Sequence, residues 1–132
     1  MANNQPDRFE SFILPDGHPK ITVTPDTKIP NSATIVIYKE DHTIANLIKT
    51  QLLKDKRVLF AGYKIPHPLE YDVVMRIQTT GATNPLDVLM LAITALQTQI
   101  TRLKSDFEMS VHQFKERTLE MGAPNAEYAN AL

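Results

Sequence analysis

The chain has no cysteine, no excess of charge of one sign, no glycine-rich loop and no long apolar run. Without a thiol there is no disulfide scaffold, no thiolate metal site and no cysteine nucleophile, and the composition suits a reducing compartment. Lys and Arg number 14 against 15 Asp and Glu, a formal net charge of −1. A free-standing nucleic-acid binder usually shows a basic excess, which is missing here. No run resembles a nucleotide-binding glycine loop. No apolar stretch approaches the ~20 residues of a membrane helix, and the first ten residues are too polar for a secretory signal. A soluble intracellular protein is expected. The basic run Lys54-Asp55-Lys56-Arg57 is too short to mark nuclear import.

What is present is 42% apolar content in 132 residues, enough for one core. Phe9, Phe12, Ile13 and Leu14 form an apolar cluster in need of a surface, followed by a turn at Pro15-Asp16-Gly17. Ile21 and Val23 alternate with polar residues as in a short strand, and the β-branched run 33–38 reads as a second. The period then changes. Ile44, Leu47, Ile48 and Leu52 recur at helical spacing, predicting a helix over 43–53 capped by Asp41 or Thr43. Strands are expected over 58–65 and 73–79, with Val73, Met75 and Ile77 on one face and Val74, Arg76 and Gln78 on the other.

The last third carries the clearest signal. Asn84 suits an N-cap, Pro85 the first helical position and Asp87 the positive end of the helix dipole, while Gly122 and Pro124 supply a stop. Between them Leu86, Leu89, Ile93, Leu96, Ile100, Leu103 and Phe107 follow alternating steps of 3 and 4, with Phe114 a heptad later. That is a seam for a partner helix. A helix over 85–121 would be about 55 Å long, more than a small sheet can cover. The fold class is therefore α+β: a four-stranded antiparallel sheet with helices on one face and a long C-terminal helix. Three regions are expected: an N-terminal tail and docking segment, 1–19; a domain over 20–121; and a tail, 122–132, whose order the sequence leaves open.

Chemistry is scarce. Asp41-His42 invites a general-base reading, but no nucleophile accompanies it, and a helix cap beside a surface histidine is the plainer reading. His18, His42, His67 and His112 share no ligand spacing, so neither a metal nor a cofactor is expected. His67, between Pro66 and Pro68, shapes its loop. Gly62, alone in a strand, signals a bulge or a close approach.

Glu40-Asp41-His42-Thr43 leading to Asn46, then Gly62-Tyr63 with Pro66-His67-Pro68, then Arg76-Ile77-Gln78-Thr79 resemble, block by block, the small alpha-like subunits of nuclear and archaeal RNA polymerases. The polymerase II form is nearest, and the bacterial alpha dimerisation domain is similar. Ile44-Ala45 departs from the usual Leu-Gly. The resemblance implies a non-catalytic assembly subunit of DNA-directed RNA polymerase II in the nucleus. It implies a heterodimer with the third-largest, alpha-like subunit, which then docks the two large catalytic subunits. The seam alone also admits a homodimer, and an α+β enzyme built around Asp41 and His42 is the remaining rival.

Overall fold

The structure, a computed structural model, describes residues 4–122. Pro124 and nearly all of the expected tail therefore lie outside the described residues. A 3₁₀ turn at Arg8–Ser11 precedes β1 (Ile21–Pro25), β2 (Ser32–Tyr38), α1 (His42–Leu52), β3 (Val58–Lys64), β4 (Asp72–Thr79) and α2 (Pro85–Glu120). The strands form one antiparallel sheet in the order β1-β2-β4-β3. By its contacts the chain divides into two units, with the boundary between Leu96 and Gln97, inside α2. The first holds the sheet, α1 and the start of α2. The second, among its described residues, is the rest of that helix.

The core follows from the period of two in the central strands. Ile35 pairs with Met75 and Ile37 with Val73, so these side chains share one face. All four are buried, as is Ile77. Onto them pack Ala45, Ile48 and Leu52 of α1 and Val88, Leu89 and Ala92 of α2. Thr34, Val36, Val74 and Arg76 occupy the other face, and none of them is fully buried. The alternation expected in β4 is the alternation observed.

α1 differs from expectation in which residues it buries. Its Asp41 cap accepts the Thr43 N–H at 2.9 Å. However, Ile44 and Leu47 are 39% and 43% exposed, and Ala45 takes the place at the core that Ile44 was expected to fill. Both sets lie at helical spacing, so periodicity cannot choose between them; the direction from which the sheet approaches decides.

Both sheet edges are blunted against further pairing. β1 ends on Pro25, which has no N–H to donate. β3 carries an irregularity between Val58 and Phe60. Gly62 lies two residues beyond it, where a Cβ would sit 3.0 Å from the Phe60 ring. The glycine thus leaves room for the Phe60 ring, an approach by a side chain and not by the backbone expected there.

Candidate interaction surface

α2 begins as its sequence dictates. The Leu86 N–H donates to Asn84 Oδ1 at 3.1 Å, and Pro85 needs no partner for an N–H it lacks. The helix ends at Glu120, with Gly122 at φ +60° in the left-handed region that glycine tolerates. Thirty-six residues of uninterrupted helix are thereby defined at both ends.

The seam, however, is not uniform. Leu89 is 2% exposed and sits in the chain's own core, so it is not available to a partner and is withdrawn from the expected interface. Ile93 and Leu96 pack partly against that core. Leu86 is 40% exposed, and Ile100, Leu103 and Phe107 are more than half exposed. The physical reason is that only the first turns of the helix belong to the unit that holds the sheet. Those first turns pack into that unit's core, and Ile100, Leu103 and Phe107 in the later turns are exposed.

Sequence reasoning missed other parts of this surface. Met90 and Leu91, off the heptad positions, are exposed. Ile21 and Val23 pair with Ile37 and Ile35 and so lie on the helix-bearing face, yet both remain exposed. β1 is an edge strand, and the helices do not bury it as they bury β2 and β4. A signal existed in the alternation of Ile21 and Val23, which marks a buried face with no helix left over to bury it.

The motif residues fall into three places. Glu40 pairs with Lys20 at 2.8 Å, and its N–H donates to the Tyr71 carbonyl. The Asp41 carboxylate is occupied by Thr43, whose N–H bond is the main cause of its lowered pKa. His42 Nδ1 lies 2.8 Å from the Tyr63 hydroxyl, with the two rings tilted and their centroids 5.6 Å apart. The Lys49 ammonium lies 5.9 Å from the centre of the Tyr63 ring. α1 and β3 are thus joined by a polar, aromatic cluster beside the exposed Asn46. His67 accepts the Leu69 N–H at 3.1 Å, holding the Pro66–Pro68 loop. Arg76, paired with Asp26, and Gln78 stand on the opposite sheet face from Met75 and Ile77. The motif therefore does not converge on one pocket. His42 is bonded to a tyrosine and Asp41 to a backbone N–H, which is not the arrangement of a carboxylate-assisted base. Among the described residues no group of His, Asp and Glu could hold a metal, and no helix is long and apolar enough to cross a membrane.

Residues 32–106 match the family model described as the RNA polymerase Rpb3/Rpb11 dimerisation domain. DNA-directed RNA polymerase II subunit rpb11 of Dictyostelium discoideum is 52% identical over 104 residues, covering 79% of this chain and 87% of the relative. The Schizosaccharomyces pombe subunit RPB11 is 46% identical over 104 residues, covering 79% and 84%. A probable RPB11 from Caenorhabditis briggsae is 49% identical over 115 residues, covering 87% and 93%. The crystal structure of RNA polymerase subunit L from Thermoplasma acidophilum shares the fold at a TM-score of 0.60 and 20% identity, covering 74% of this chain and 96% of that one.

Proposed function

The chain belongs to the RNA polymerase Rpb3/Rpb11 dimerisation-domain family, and on that premise we propose that it is a non-catalytic assembly subunit of nuclear, DNA-directed RNA polymerase II. It pairs with the third-largest, alpha-like subunit, and the pair supports docking of the two large catalytic subunits. The observation that carries this reading is the set of exposed apolar residues along α2: Leu86, Met90, Ile100, Leu103 and Phe107. Exposed apolar stripes of this extent mark interaction sites. Spacing of 3 and 4 residues fits another helix better than a small ligand. Ile21 and Val23 add to the same need for cover. The motif cluster at His42, Tyr63 and Lys49 is the surface we assign to the large subunits, on the support that its residues are exposed or half-exposed.

The test is co-expression with the alpha-like subunit, followed by pull-down. Wild type is expected to co-purify at one-to-one ratio. Ile100→Asp and Leu103→Asp each place an uncompensated charge in the apolar contact, costing several kcal/mol, and should abolish capture. Ser105→Asp, exposed and two residues from both Leu103 and Phe107 and so on the far side of the helix, should retain it within about half a kcal/mol. Equal capture of all variants would defeat the reading.

A further inference from the structure

The apolar stripe of α2 does not stop where the matched domain stops. The family match ends at residue 106, and α2 continues to Glu120. The Met121 N–H still donates to the Arg117 carbonyl at 3.1 Å, one helical bond further. Along this stretch Phe107, Phe114 and Met121 are more than half exposed, and Val111 is half-buried. At 3.6 residues per turn, Ile100, Leu103, Phe107, Val111, Phe114 and Met121 all fall within about 80° of arc. Intrahelical polar contacts lie away from that arc. Arg102 meets Asp106 at 3.7 Å, and His112 Nδ1 meets Glu116 at 3.4 Å.

The spacing changes inside the stripe. Up to Phe107, steps of 3 and 4 alternate, the period that winds a partner helix into a left-handed supercoil. A further step of 3 would land on the exposed Ser110. A second step of 4 lands on Val111 instead, and steps of 3, 4 and 3 then reach Phe114, Thr118 and Met121. Two successive steps of 4 make a stutter, which locally unwinds a supercoil. The stripe is therefore re-phased after Phe107, not interrupted there. Ile100 and Leu103 lie within the matched dimerisation domain, and Phe107, Val111 and Phe114 continue the same arc beyond it. One helix that covers the former can run on over the latter.

We propose that the helix of the alpha-like partner that pairs with Ile100 and Leu103 extends past residue 106, seated on Phe107, Val111 and Phe114 and locally unwound at the stutter. This rests on the dimer reading above. The measurement is dissociation of the fluorescently labelled two-subunit complex, chased with unlabelled complex. Val111→Asp and Ser110→Asp put the same charge at adjacent positions of the helix, so the pair isolates the phase of the stripe. Val111→Asp should speed dissociation about 10-fold or more, and Ser110→Asp less than about 2-fold. Phe114→Ala should speed it about 10-fold. Circular dichroism checks that each variant is folded; should Val111→Asp lose helix, Phe114→Ala against Ser110→Asp decides. An effect of Ser110→Asp equal to or larger than that of Val111→Asp would overturn the re-phasing. Wild-type dissociation rates for Val111→Asp and Phe114→Ala, with Ile100→Asp still blocking assembly, would overturn the extended contact and leave the dimer reading standing. Failure of the wild-type chains to form a complex would overturn both.

Discussion

Asp55 and Arg57 close the turn between α1 and β3. Arg57 Nε and Nη2 donate to the two Asp55 oxygens at 3.0 and 2.7 Å, and the Arg57 N–H donates at 2.9 Å. The side-chain bond, then the backbone one, holds the Asp55 pKa down at about 2. Backbone N–H bonds lower Asp41 and Asp26 in the same direction. A carboxylate whose folded pKa is depressed stabilises the fold fully above its unfolded pKa, and the effect fades as pH falls through the folded value. Melting temperature should therefore fall between about pH 4, near the ordinary carboxylate pKa, and the folded value. Asp55→Asn should melt earlier at neutral pH and lose less on acidification. Parallel acid profiles for wild type and variant would show that the pair contributes nothing to stability. Exposure of Arg57 limits the size of the effect.

At the scale of the element, α2 behaves differently along its length. Leu89→Ala opens a cavity in the first unit and should cost about 2–5 kcal/mol in urea unfolding. Asn84→Ala removes the cap of the first turn and should cost about 1 kcal/mol. Ile100→Asp, at a position 57% exposed, should leave the isolated chain's stability within about half a kcal/mol. Leu96 lies between these cases. It packs against the core, so Leu96→Asp should lower both stability and partner capture. Equal unfolding midpoints for Leu89→Ala and wild type would contradict the assignment of Leu89 to the core. The heptad legible in the sequence located this helix and its stripe. It could not divide the stripe, because the a and d positions that meet a sheet and those that meet a partner helix carry the same residue types.

For the whole molecule, uncovered Ile21, Val23, Leu86, Met90, Ile100, Leu103 and Phe107 predict poor behaviour of the chain alone. Expressed without its partner it should associate or aggregate, and co-expression with the alpha-like subunit should give a monodisperse species in sedimentation. A stable monomer at working concentration would count against this. The near-neutral charge predicts negligible affinity for duplex DNA at physiological salt, measurable by fluorescence anisotropy. Sub-micromolar binding there would contradict the prediction.

The secondary-structure elements are legible in the chain alone. The caps Asn84 and Asp41, the β-branched runs and the change of period mark α1, α2 and four strands to within a residue or two. These are local effects, set by backbone hydrogen-bonding and by which side chains share a face. Its motif blocks also identified the family, and no tertiary contact was needed for that. Only the folded chain decided which apolar residues are used internally. Ala45 rather than Ile44 meets the sheet, Leu89 is core while Ile100 is surface, and Ile21 and Val23 lie on the buried face without being buried. Such choices depend on where a finite sheet ends and on which elements reach its edge strand.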